Sequence, residues 1–118
     1  MAYLLLIMEQ RGDRDRRTQA EGQALYESMS GWRDDLRKRG LLQTAEALRP
    51  DRDGVRLSTR DGKRTIVDGP FAETKEMVGG FFLLNCQTKE QAVTIAQECP
   101  AVEYATVEVR ELAPCYVV

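Results

Sequence analysis

The 118-residue chain contains no histidine. That absence removes a histidine general base, a Ser-His-Asp triad and a histidine-ligated zinc. Cysteine is scarce: Cys86, Cys99 and Cys115 are an odd number and form no Cys-x-x-Cys pair. Such a set reads as reduced packing thiols, not as a disulfide framework or a soft-metal site. No tightly bound transition metal and no cofactor are therefore expected, while weak Mg²⁺ or Ca²⁺ contact with carboxylates stays open. No apolar run is long enough to span a bilayer, and the short apolar stretch Tyr3 to Met8 follows no basic region. It is read as a strand and not a secretion signal, with a cytoplasmic location as the expectation. Nor does one charge dominate: 17 Lys+Arg face 19 Asp+Glu, a net charge of −2. That balance gives no reason to expect a nucleic-acid or membrane partner.

What is present reads as one domain over residues 1–118, large enough for a single core. The continuous apolar run Tyr3 to Met8 is the pattern of a central strand. Glu9 to Arg17 is polar, and its arginines are interrupted by Asp13 and Asp15, so it reads as a solvated loop. Thr18-x-x-Glu21 is a capping-box pattern opening a helix. Leu25, Met29, Trp32 and Leu36 give that helix one apolar stripe, and Gly40 suits the position past its end. Gly22 and Gly31 weaken it by roughly 1 kcal/mol each relative to alanine, and close packing there would explain them. Leu41 to Leu48 predicts a second strand closed by Pro50. Val55 to Arg60 and Lys63 to Val67 predict two strands joined at Asp61-Gly62 by a hairpin turn. Phe81 to Cys86 predicts a buried strand. Thr88-x-x-Gln91 opens a second helix that Pro100 ends, and Ala105 to Arg110 alternates as a last strand.

That order predicts an α+β fold: a mainly antiparallel sheet with two helices on one face, containing a ferredoxin-like split β-α-β pattern. An exposed sheet face or edge and the apolar tail Cys115-Tyr116-Val117-Val118 predict a homodimer.

The stretch Asp68 to Gly80 is the densest in chemistry. Gly69-Pro70 forces a change of direction, and Pro70 suits the first position of a helical turn. If Phe71 to Met77 were helical, Glu73 and Glu76 would share a face. A carboxylate held in a cleft serves as general acid, general base or hard-metal ligand. Asp68 and Glu73 are thus the catalytic candidates, with Glu46, Phe71, Lys75 and Glu76 as ligand-binding candidates. The competing reading is structural: Asp68 caps the turn, and Glu73 and Glu76 sit near its positive end.

Asp68-Gly69-Pro70-Phe71-Ala72-Glu73-Thr74-Lys75-Glu76 resembles the signature of the DGPF-type, YCII-related proteins. The opening Met1 to Ile7, the pair Gly79-Gly80 before Phe81-Phe82, and Val107 to Arg110 resemble further parts of that family. The resemblance implies a ferredoxin-like fold, usually as a homodimer. It also implies that Glu46, before Leu48-Arg49-Pro50, matches a family glutamate. Relatives outside the DGPF branch are associated with a histidine and an aspartate as candidate catalytic residues. That dyad cannot be carried over to a chain without histidine. Relatives of the DGPF branch are often encoded beside extracytoplasmic-function sigma factors, which implies a regulatory role with such a factor as candidate partner. Two functions stay open: a small-molecule binding or sensing module, and a small lyase or hydrolase using elbow carboxylates.

Overall fold

The computed structural model describes residues 2–117. Strand β1 (Ala2–Gln10) is followed by a one-turn helix α1 (Asp13–Arg16) and the long helix α2 (Gln19–Lys38). Then come β2 (Leu42–Ala47), a 3₁₀ turn at Asp51–Asp53, and β3 (Val55–Arg60) with β4 (Lys63–Asp68). β5 (Glu76–Asn85), α3 (Lys89–Gln97), a second 3₁₀ turn at Pro100–Glu103 and β6 (Thr106–Glu111) complete it.

The main sheet has four strands in the order β2-β5-β1-β6, every neighbour antiparallel. That is the connectivity of a split β-α-β unit. Along β1, Tyr3, Leu5 and Ile7 are buried and alternate with half-buried Leu4, Leu6 and Met8. The buried set faces the helices and joins Trp32 and Leu36 of α2, Phe82 and Leu84 of β5, and Ala92, Ile95 and Ala96 of α3 in one core. The Trp32 and Phe82 ring centroids lie 4.9 Å apart. Buried side chains of this size each contribute about 1.5–3 kcal/mol, so the two-faced strand pattern drives the layering.

The expected caps form. Thr18 accepts from the Glu21 N–H at 3.1 Å and the Glu21 carboxylate accepts from the Thr18 N–H at 2.9 Å. Asp61 and Gly62 have φ of 51° and 77°, the left-handed pair that a tight hairpin turn needs.

Four expectations change. Arg11 to Arg17 is not a plain solvated loop: α1 forms within it, so three α-helices stand where two were expected. The β3–β4 hairpin forms its own two-stranded sheet apart from the main one. The elbow is not helical. The carbonyls of Phe71, Thr74 and Lys75 accept hydrogen bonds from Arg11, which leaves only a single turn closed by Thr74 N–H to Phe71 O at 3.1 Å. Finally, β5 starts at Glu76, so Gly79-Gly80 lie inside a strand instead of preceding one.

Candidate functional site

The end of β1 carries two arginine–carboxylate clamps, one on each side of the chain's exit. The first is on the helix-covered face. Glu9 continues the row Tyr3, Leu5, Ile7 and is the buried charged residue of the described chain, 7% exposed. Gly12, at φ 90°, turns the chain into α1, which aims Arg14 back along the strand. Arg14 Nε and Nη2 donate to the two Glu9 carboxylate oxygens at 2.9 and 2.6 Å. Arg14 also donates to the Leu48 carbonyl at 2.7 Å and the Gly79 carbonyl at 3.2 Å, tying together the ends of β1 and β2 and the middle of β5. The hydrogen bonds to Glu9 hold the Arg14 pKa above its ordinary value, so the guanidinium stays charged.

The space for Glu9 comes from a bulge. Ile7 pairs with Gly80 and Met8 with Val78, so Gly79 is the extra residue. A Cβ on Gly79 would overlap the Glu9 carboxylate, and one on Gly80 would come within 2.8 Å of the Glu46 carbonyl. The glycine pair therefore admits a buried acid and a close strand.

Above this pair lies a cleft of about 400 Å³ between α2 and the sheet. That is within the range of small-molecule sites. Ile7, Ala45, Phe82, Leu25 and Met29 form its apolar wall, while Arg17, Arg33, Tyr26 and Tyr104 border it. Arg17 sits 5.2 Å over the Tyr104 ring. Burial, with Cys99 and Glu9 nearby, pushes the Tyr104 phenol above its ordinary pKa, so it remains a neutral hydrogen-bond donor. Gly22 also lines the cleft, and a Cβ there would meet nothing within 4 Å. The packing expected to explain Gly22 and Gly31 is absent from the described residues, because Gly31 is equally open.

The second clamp holds the elbow. Arg11 forms a two-pronged pair with Asp51, with Nη1 at 2.9 Å from Oδ1. Its Nη2 donates to the Phe71 carbonyl at 2.6 Å and its Nε to the Thr74 carbonyl at 3.0 Å. Asp51 in turn accepts from the Phe71 N–H at 3.3 Å. The hydrogen bond from Arg11 keeps the Asp51 carboxyl below its ordinary pKa. Gly69 passes so close to the Asp51 carbonyl that a Cβ would overlap it. Buried Phe71 is covered by Arg56, 3.9 Å from its ring centroid.

The sequence-derived candidates are thus separated. Glu46 borders the α2 cleft, as an exposed residue of β2 whose register partner is Phe81. Phe71 and Glu76 line a different groove, formed with Pro50, Asp51, Arg56 and Met77. Asp68, Glu73 and Lys75 line neither and are exposed. Glu73 pairs with Arg56 at 3.0 Å. Sequence reasoning passed over Glu9, Arg11, Arg14 and Asp51. The available signal was Glu9 in phase with the buried row of β1, followed by arginines spaced to return to it. Among the described residues, no three Cys, Asp or Glu side chains converge as a metal site would require.

A YCII-related domain model matches residues 1–115. The chain belongs to the YCII-related family. It is also 28% identical over 115 residues to an uncharacterized protein of Rhizobium meliloti (strain 1021), covering 96% of this chain and 93% of that one. Within this YCII-related protein, residues Asp68 to Glu76 make the elbow that Arg11 and Asp51 clamp, beside rather than inside the cleft.

Proposed function

We propose that this protein is a small-molecule binding and sensing module whose ligand occupies the cleft between α2 and the sheet. The observation that carries the reading is the cleft itself: about 400 Å³, apolar along one wall and closed by the pair of buried Glu9 with half-buried Arg14. A helix that keeps Gly22 over that space accepts a propensity cost of about 1 kcal/mol and leaves the space open. The clamped elbow supports the cleft by fixing where β1 and β5 leave the sheet. A lyase or hydrolase reading through Asp68 and Glu73 draws less support, since both are exposed and Glu73 is engaged by Arg56. Membership of the DGPF-type branch, a sigma factor as regulatory partner and a cytoplasmic setting rest on the signature resemblance and the composition. The proposal includes a homodimer formed through the open face of the sheet.

Titration of isotope-labelled protein with hexanol, a neutral apolar probe, tests the site by nuclear magnetic resonance. Shifts should cluster at Ile7, Gly22, Leu25 and Met29, and Gly22→Phe should abolish them while the protein stays folded. Shifts centred on Phe71 and Glu76 would move the site to the elbow groove.

A further inference from the structure

The cleft's charges are not balanced. Glu9 is matched by Arg14 in a two-pronged pair, so the two cancel. Arg33 leans on Asp34 at 3.4 Å. Glu46 borders the cleft on the edge strand β2, but it alternates with buried Ala45 and shares the register row of Phe81, so its exposed carboxylate belongs to the other side of the sheet. Arg17 is different. It is half-buried and borders the cleft, and among the described residues it makes no direct ion pair, with the Glu21 carboxylate near enough only to feel its charge. Its guanidinium rests on the Tyr104 ring, which holds a cation in place without neutralising it. Ile7, Leu25, Met29 and Phe82 offer a ligand apolar contact, and Thr18, Gln19, Tyr26 and Ser30 add neutral polar groups but no charge.

Resting on the cleft as the ligand site, we infer that the ligand is a monoanion with an apolar body, such as a short aliphatic or aryl carboxylate. Arg17 takes the anionic end. The guanidinium presents paired donors that match a carboxylate, and such charge-assisted contacts are the strong ones. The apolar body lies along α2 beneath Gly22.

Three probes of equal chain length separate the parts of this inference: hexanoate, hexanol and hexylamine, titrated by calorimetry against the wild type, Arg17→Gln, Arg33→Gln and Gly22→Phe. Circular dichroism melts establish that each variant is folded. Hexanoate should bind tightest. Arg17→Gln should weaken hexanoate about tenfold or more and leave hexanol unchanged. Arg33→Gln should act less, since Asp34 already engages that side chain. Hexanoate affinity should also fall as salt rises. Equal affinities for hexanoate and hexanol, or an Arg17→Gln variant that binds hexanoate normally, would overturn the anion while leaving the cleft standing. Preference for hexylamine would overturn it too and assign the charge choice to Glu9. A stronger effect of Arg33→Gln would overturn the assignment to Arg17. Failure of all three probes, or indifference of their binding to Gly22→Phe, would overturn the cleft itself.

Discussion

A buried carboxylate survives in a small protein only with a partner and with room. Glu9 has Arg14 as the partner and the missing side chain of Gly79 as the room. Gly79→Ala should therefore displace Glu9 from Arg14 and destabilise the fold by about 2 kcal/mol or more, read from denaturant midpoints. Glu9→Gln keeps the volume and removes the charge. Arg14, with a side chain 29% exposed and two carbonyl acceptors left, is not stranded, so the expected loss is smaller, about 1–3 kcal/mol. A Gly79→Ala variant as stable as the wild type would show that Glu9 is not held where the bulge admits it. At this scale the sequence was least legible. Asp68, Glu73 and Glu76 drew attention because carboxylates crowd together there, but crowding along a chain does not say which way a side chain points. Glu9 stood alone at the end of an apolar run, and its partner lay in a stretch of alternating charge that reads as solvent-facing.

Elements are easier to read, because their signals are local. The capping box of α2, the Asp61-Gly62 turn and the two-faced strand β1 all follow from neighbours in sequence. The elbow escaped this reading because its backbone is satisfied from a distance: Arg11 and Asp51 supply what a helix would otherwise have supplied. That clamp gives a pH dependence. The Asp51 pKa is lowered in the fold, chiefly by the Arg11 hydrogen bond, so the pair stabilises the native state above the unfolded carboxylate value of about 4. The contribution is lost as pH falls through the lowered folded pKa. Glu98, lowered by Arg39 and then by Trp32, acts in the same sense. Stability should thus decline on acidification, and Asp51→Asn should lower stability at neutral pH and flatten the decline; a decline as steep as in the wild type would deny the clamp its role. Within α2, Gly22→Ala and Gly31→Ala should each stabilise by about 0.5–1 kcal/mol, since both Cβ positions are open. A calorimetric melting temperature that falls for Gly31→Ala would mean that something covers this helix face in solution.

The whole molecule is thin, 48 × 43 × 18 Å, because helices cover only one side of the sheet. On the other side Leu4 pairs with Leu83 and Leu6 with Phe81, a patch of half-buried apolar side chains in the middle of four strands. Sheets bury an apolar face against another layer, and the described residues supply no second one. The β3–β4 hairpin repeats the situation on a smaller scale, with Leu57 61% and Ile66 67% exposed as cross-strand partners. An isolated two-stranded hairpin is marginal in water, so its apolar pair also wants a covering surface. In the proposed homodimer a second copy would cover both with one isologous contact, and a standard interface needs only about 800 Å² per partner. The protein should therefore sediment as a dimer at micromolar concentration. Leu83→Glu, at the centre of the open face, should give a monomer with an unchanged circular dichroism spectrum, because the substituted carboxylate points to solvent in the single chain and into the contact in the pair. Leu57→Ser should weaken the dimer without abolishing it. A wild type that sediments as a monomer at that concentration removes the dimer. A Leu83→Glu variant that stays dimeric moves the contact away from the sheet to the hairpin, and Leu57→Ser then becomes the substitution that dissociates it.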